Sequence, residues 1–159
     1  MSQSNSMRFL ELKVPPPIVA LFMAGLSWLA SRAAPTLRFV LPHRNAIVLA
    51  SLVAGVCVSV LGVAGFRRAR TTLNPLKPEK SSALVTSGIY RYTRNPMYLG
   101  LLLVLFGWAF FLSNALAFLF LPAFILYMNR FQIEPEERVL ASVFGQEFTA
   151  YLSKVRRWL

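Results

Sequence analysis

Aspartate is absent from the whole 159-residue chain, histidine and cysteine occur once each (His43 and Cys57), and charged residues make up only 14%. Each shortage excludes a chemistry. A lone Cys and a lone His cannot build a metal site from several soft ligands, and no disulfide can close within the chain. A Ser-His-Asp triad is impossible, and a Ser-His-Glu triad survives only if His43 serves it. No GxGxxG fingerprint and no P-loop occurs. Apolar residues fill the chain instead, at 56%, with a mean hydropathy of +0.54. An ordinary soluble domain is about 45–50% apolar and about 25% charged. This composition excludes intrinsic disorder and argues against a water-soluble globule.

The gaps between charges predict the architecture. Val14–Ser31 is a run of 18 residues without a charge, Asn45–Phe66 a run of 22, and Asn95–Asn129 a run of 35. A membrane crossing needs about 20 mainly apolar residues, so the first two runs predict one span each. The third is too long for one span, and Ser113-Asn114 interrupts it. It reads as a tight helical hairpin, roughly Met97–Leu112 and Ala115–Asn129, with Pro122 kinking the second arm. The expectation is an all-α integral membrane protein with about four transmembrane helices and a C-terminal amphipathic helix. It forms a single domain over 1–159: two spans and a basic loop in 1–80, the chemistry-bearing segments in 81–159. A cleavable leader over the short apolar stretch Ile18–Ala30 is the competing reading of the N-terminus, and the preceding Pro15-Pro16-Pro17 argues against it.

Lys and Arg number 17 against six acids, a net charge of +11. With four spans, 14 of the bases fall on one face and only Arg32, Arg38 and Arg44 on the other. The positive-inside rule makes the 14-charge face cytoplasmic, together with both termini and the active site, in what is expected to be a bacterial inner membrane. The charge is thus a topology signal and not a nucleic-acid footprint. His43 falls on the opposite loop, as a solvated or interfacial residue. Cys57 falls inside the second span, as a buried apolar residue. Gly55, Gly62 and Gly65 read as helix-packing contacts.

Two segments carry chemistry. Leu84–Gly100 joins the basic loop to the third span. Thr86-Ser87-Gly88 signals a turn, and Asn95-Pro96 marks a helix start. Without further context its tyrosines and arginines suit an interfacial belt. Arg130–Leu140 leaves the fourth span. There Glu134 is placed to cap, Pro135 suits a first helical position, and Glu136 and Glu137 favour the positive end of a new helix. Val139, Leu140, Val143, Phe144, Phe148, Tyr151, Leu152 and Val155 then give a broad apolar face, expected to lie on the membrane surface. Arg156-Arg157-Trp158 reads as an interfacial anchor.

Taken together, Arg94-Asn95-Pro96-Met97-Tyr98-Leu99-Gly100, the paired Glu136-Glu137, and Phe144-Gly-Gln-Glu-Phe-x-x-Tyr151 resemble the isoprenylcysteine carboxyl methyltransferase family. They are also similar to the wider group of membrane methyltransferases that includes the phospholipid N-methyltransferases. The resemblance covers roughly residues 80–159. It implies S-adenosylmethionine as methyl donor and a lipophilic or membrane-partitioned small molecule as acceptor, with membrane lipid as surroundings and no nucleic acid or metal. By position, donor contacts fall on Ser82, Ala83, Leu84, Val85, Tyr90, Asn95, Pro96, Met97, Tyr98 and Glu136. The groups implied around the reacting atoms are Arg94, Glu137 and Arg130. Two positions depart from the pattern. Asn95 stands where the family has His, so no group that titrates near neutrality is available there. Gln132 stands where the prenylcysteine enzymes grip substrate with Arg, four residues before the acidic pair. Gln132 and the nearby Arg130 are the candidates for holding the acceptor.

A carboxylate such as Glu136 suits the donor's ammonium, and tyrosine faces suit its adenine or its sulfonium. The shortage of titratable groups suits O- or S-methylation better than N-methylation, unless Glu137 acts as a base. The expected activity is O-methylation of the isoprenylcysteine type. Phospholipid N-methylation and small-thiol S-methylation are the alternatives, beside a non-catalytic membrane scaffold and a nicotinamide-dependent reductase.

Overall fold

The computed structural model describes residues 11–69 and 83–159. Ser82, and Arg8, Arg70, Lys77 and Lys80 among the 14 bases counted on one face, lie outside them. Every element among the described residues is a helix or helical turn, and the one β-bridge there is isolated, between Arg38 and Asn114. Helix α1 spans Pro16–Ala33, α2 Arg44–Arg68, and α3 Pro96–Leu112. A 3-10 turn over Ala115–Leu119 leads into α4, Phe120–Met128, and a π-helical turn, Asn129–Ile133, joins α4 to α5, Glu134–Lys154. Two stretches are long and apolar enough to cross a membrane, Arg44–Arg68 and the continuous helical run Ala115–Lys154, whose apolar part ends at Asn129. Helix α3 is apolar and shorter.

Helix α2 meets its neighbours mainly through small residues: only Ser51, Gly55 and Gly62 are buried along it. A Cβ added at Gly100 of α3 would stand 2.0 Å from Ser59 Oγ and 2.6 Å from Gly55 O, and one added at Gly55 would stand 2.7 Å from Gly100 O. A Cβ added at Gly107 would stand 3.0 Å from Ser51 Cβ. Backbones can approach like this only where side chains are missing, which is how helices associate without a hydrophobic drive from water. The remainder of α2 is bare, with Leu49, Val53, Val56 and Val60 all more than half exposed. Cys57 is exposed as well, contrary to the expected burial, because the packed face of α2 is the small-residue stripe and Cys57 lies off it.

The larger side chains form a separate core. Val19 and Ala20 of α1, Tyr98 and Leu105 of α3, Phe124 and Met128 of α4 and Ile133 of the π turn pack together, and Trp108 Nε1 donates to Ala24 O at 3.1 Å. Past Leu112 the chain turns at Ser113, which is left-handed at φ 49°. The next residue, Asn114, is fully buried: its Nδ2 donates to Ala34 O at 2.8 Å and Ser31 O at 3.4 Å, and its Oδ1 accepts from Leu116 N. One amide thus ties down two carbonyls at the end of α1: Ser31 O, which Pro35 cannot serve for want of an N–H, and Ala34 O, which also accepts from Leu37 N.

Three local expectations are corrected. Pro122 does not kink a helix interior. It sits in the first turn of α4, and the tighter 3-10 turn before it relieves the clash of its ring with the preceding turn. No new helix begins at Glu134, since α4 continues into α5 through the π turn. Pro135 has no N–H for Phe131 O, and Leu12 N, from the segment before α1, donates to that carbonyl at 3.0 Å. Nor is α5 one continuous helix: Gly145 breaks it with φ 51° and ψ −120°, a conformation open to glycine.

Gly100→Val should lower stability by about 1–3 kcal/mol through overpacking. Gly25→Val, where an added Cβ meets nothing within 4 Å, should change it little. Thermal unfolding in detergent micelles checks both.

Candidate active site

The segment before α3 and the segment after α4 meet at one end of the bundle. Asn95 and Pro96 start α3 as the sequence predicts, and Tyr98 follows in its first turn, buried. The π turn leaves Glu136 and Glu137 in the first turn of α5, beyond the apolar run. The contact between the two segments is direct: Tyr98 Oη donates to Glu136 Oε1 at 2.5 Å.

Each carboxylate is handled differently. Both oxygens of Glu137 are taken by guanidinium groups. Arg94 Nη2 reaches Oε1 at 2.9 Å, while Arg157 donates through Nη2 to Oε2 at 2.6 Å and through Nε to Oε1 at 3.3 Å. Among the described residues no basic side chain pairs with Glu136. The residue keeps partial exposure, but enclosure of its carboxyl raises the pKa to about 8. The Tyr98 hydrogen bond opposes that rise and the adjacent Glu137 charge adds to it.

The C-terminal tail closes this end. Arg94 Nη1 donates to Leu152 O and Val155 O, and Arg94 N to Arg156 O. Asn95 Nδ2 donates to Arg157 O at 2.9 Å, and Thr93 Oγ1 to the same carbonyl at 3.4 Å. Trp158 packs on the main core and donates through Nε1 to Asn129 Oδ1 at 3.0 Å. Arg157 and Trp158 therefore face inward, and the expectation of an interfacial anchor is corrected. Arg157 was missed as a site residue because a terminal Arg-Arg-Trp cluster looks the same whether it faces lipid or a buried carboxylate.

Behind the tail, Phe148, Tyr151 and Val155 cluster with Leu84, Leu140, Phe144 and Leu152. Tyr151 Oη donates to Tyr90 O at 2.7 Å, Tyr90 Oη to Gly62 O at 3.5 Å, and the Tyr90 ring meets Phe66 edge-on. Burial raises the pKa of both phenols, with Tyr151 at about 12, so both stay protonated. Val85 is buried beside Gly65 of α2, and Ala83 and Leu84 lie on the same strip of chain.

The expected residues thus fall into two groups. Tyr90, Arg94, Asn95, Pro96, Met97, Tyr98, Glu136 and Glu137 gather at one end, with Leu84 packed on α5 and Val85 on α2 beside them. Gln132 joins them beside the Tyr98 hydroxyl, 2% exposed. Its Nε2 has no partner in hydrogen-bonding geometry, and neither has Arg94 Nε. Arg130 is not brought to this cluster. It pairs with Glu11 at 2.7 Å and lies over the Phe131 ring, and Arg138 shares the same Glu11.

Comparison with known proteins gives this constellation a family. The family model described as phospholipid methyltransferase matches residues 44–147. The chain belongs to the phospholipid methyltransferase family. The protein-S-isoprenylcysteine O-methyltransferase of Schizosaccharomyces pombe is 34% identical over 79 residues, 50% of this chain and 34% of that protein. A probable protein-S-isoprenylcysteine O-methyltransferase of Oryza sativa subsp. japonica is 32% identical over 114 residues, 70% of this chain and 58% of that one. A short uncharacterized protein of Haemophilus influenzae is 54% identical over 63 residues, its whole length and 40% of this chain. The chain therefore spans a third to three-fifths of the curated methyltransferases it matches. No solved structure matches it. The relationship supports the methyltransferase family expected from the two motifs.

Glu137→Gln should cost about 2 kcal/mol of stability, because it leaves two partly buried guanidinium groups short of their counter-charge. Arg130→Gln, at a more exposed pair, should cost less than about 1 kcal/mol. Thermal unfolding of the two variants in detergent decides the order.

Proposed function

We propose that this chain is an integral membrane S-adenosylmethionine-dependent methyltransferase acting on a lipophilic acceptor, with O-methylation of the isoprenylcysteine type as its chemistry. The observation that carries the reading is the 2.5 Å contact between Tyr98 and Glu136, which joins the Arg-Asn-Pro-Met-Tyr segment to the acidic pair. The residues present suit the donor. Glu136 is an enclosed carboxyl with no cation of its own, and Gln132 Nε2 and Arg94 Nε are buried donors without acceptors. The ammonium of the methyl donor answers Glu136, and an acceptor carrying a carboxylate answers the two buried N–H groups.

When bound, S-adenosylmethionine supplies an electrophilic methyl group for in-line displacement. Glu136 pairs with the ammonium, and Tyr98 fixes the orientation of Glu136. Main-chain groups of Ala83, Leu84 and Val85 border the adenosine, and Tyr90, Asn95, Pro96 and Met97 complete that wall. Arg94 lies beside the acceptor, held by Glu137 and by the tail carbonyls. Glu137, with both oxygens engaged by guanidinium groups, keeps Arg94 in place and is poorly available as a base. Gln132 offers its free N–H to the acceptor. Arg130, held by Glu11, supports the π turn from outside. Alignment of nucleophile and methyl group with water kept out can supply roughly 7–11 kcal/mol. A carboxylate or thiolate acceptor needs no base, which agrees with Asn95 standing where a titratable group is expected.

Four crossings are proposed, by α1, α2, α3 and the Ala115–Asn129 arm, with α3 and that arm forming the hairpin. The site end and both termini are cytoplasmic, so a soluble donor reaches the site from water and the acceptor reaches it from the bilayer. What supports this orientation is the 14-to-3 division of basic residues.

Calorimetry with S-adenosylhomocysteine tests the site, because this product carries the same ammonium, carboxylate and adenosine. Wild-type protein should bind and Glu136→Gln should lose binding by about tenfold or more; absence of binding by wild type overturns the proposal. The pH dependence has a definite sign. With its pKa raised to about 8, Glu136 must release a proton to pair with a cation at neutral pH. Affinity should therefore fall as pH drops from 8 to 6, by at most about tenfold per unit. Glu136→Gln should flatten that slope. Labelled donor added to membrane extract, followed by identification of the labelled lipid, names the acceptor.

A further inference from the structure

The end of the bundle opposite Glu136 holds a second polar site. Helix α3 runs 17 residues from Pro96 to Leu112, about 25 Å. At its far end a cavity of about 690 Å³ opens between the α1–α2 connection and the turn after α3. Arg38, His43, Arg44 and Asn45 line it with Ser113, and Leu112 supplies apolar wall. None of the six glutamates of the chain falls in the segments that build this end. Arg44 is fixed, donating to Ser113 Oγ at 3.3 Å and lying over the Phe111 ring. The Arg38 guanidinium has neither an ion pair nor a hydrogen bond among the described residues.

Three further observations converge here. Helix α2 begins in the cavity wall with no side-chain cap and no acid in its first turn, so the positive end of a 25-residue helix adds to the arginines. The backbone that carries them is braced: Phe39 N donates to Ser113 O at 3.0 Å, and Arg38 bridges to Asn114, which is fully buried. His43 is held left-handed at φ 58° immediately before α2, a strained conformation that persists only where the surroundings impose it. Below the cavity, Asn45 is followed on one face of α2 by Leu49, Val53, Val56 and Val60, at i+4, i+8, i+11 and i+15. Those four apolar side chains are 53–63% exposed.

We propose that this cavity binds the phosphate of an anionic phospholipid from the leaflet opposite the methyltransferase site, with the acyl chains lying along the bare stripe of α2. A free phosphate would use the guanidinium groups and ignore the stripe, whereas a phospholipid uses both. The proposal rests on the membrane embedding argued above and not on methyl transfer.

Native mass spectrometry and thermal unfolding of the purified chain in detergent test it, with phosphatidylglycerol, phosphatidylcholine or inorganic phosphate added in separate arms. Phosphatidylglycerol should be retained and should raise the unfolding temperature. Phosphatidylcholine should be retained less, and inorganic phosphate should leave the temperature unchanged. Arg38→Gln should lower phosphatidylglycerol retention by about tenfold, and Arg38→Gln with Arg44→Gln should abolish it. Arg38→Gln alone keeps the test decisive if the double variant does not fold, since the Arg38 side chain holds nothing in place. Equal retention by wild type and Arg38→Gln overturns the proposal. So does equal retention of the two lipids, or an equal shift from inorganic phosphate alone. Binding of S-adenosylhomocysteine by the same variants reads the other end separately, and recovery of the chain in the membrane fraction reads the embedding.

Discussion

Two adjacent carboxylates at the start of α5 have to be neutralised within one turn of helix, and that requirement organises this end of the molecule. Glu137 is neutralised by charge, with Arg94 and Arg157 on its two oxygens. Glu136 is neutralised by enclosure, which favours its protonated form, and by the Tyr98 hydroxyl. The partners come from two stretches distant in sequence: the segment Arg94–Tyr98 that enters α3, and the C-terminal tail. An ion pair on an exposed surface would leave those stretches free to move apart. Here the guanidinium groups are partly buried, and that of Arg94 also binds main-chain carbonyls, so separating either stretch leaves charged groups unpaired.

The π turn explains how one helical run can serve both the apolar core and the acidic pair. Phe124 and Met128 point into the core, fully buried, and the wider turn over Asn129–Ile133 shifts the angular register before Glu136 and Glu137 emerge. The sequence cause is Pro135, whose missing N–H would leave Phe131 O without its helical partner. Leu12 supplies the donor, and its neighbour Glu11 binds Arg130 within the turn and Arg138 in the helix beyond it. The segment before α1 thus braces the turn from outside. It also occupies Arg130, the base that lies nearest Gln132 in sequence.

Much of this was legible in residues read one stretch at a time. Charge-free runs locate helices to within two or three residues, because bases stop at the ends of apolar segments: Asn45–Phe66 against Arg44–Arg68 is an example. Asn95-Pro96 marks the start of α3 because proline tolerates only the first turn of a helix. The pairing of Tyr98 with Glu136 was legible only through the family resemblance, since 38 residues separate them and no periodicity links them. Pro135 was misread because a proline preceded by Glu looks like a fresh helix start. Only the carbonyl it leaves free, and the distant N–H that fills it, mark a continuing helix. Gly145 shows the same blindness in reverse: a glycine within an apolar periodicity reads as tolerated, and its φ of 51° depends on where Phe148 and Tyr151 must pack.

The uneven division of charge follows from two separate demands on one short chain. In the four-span arrangement proposed above, bases concentrated on one side set the orientation, and the same side holds all the acids, because an acid needs a nearby base once it is taken out of water. Glu11, Glu134 and Glu137 all pair with arginine there. The other end then has bases and nothing in the chain to match them. Arg44 finds a hydroxyl and an aromatic face, but Arg38 finds neither. Under the proposal of a bound phospholipid, Arg38, which no acid among the described residues pairs, takes its counter-charge from a phosphate above the apolar stripe, so the uneven division of charge and the second anion site share one origin.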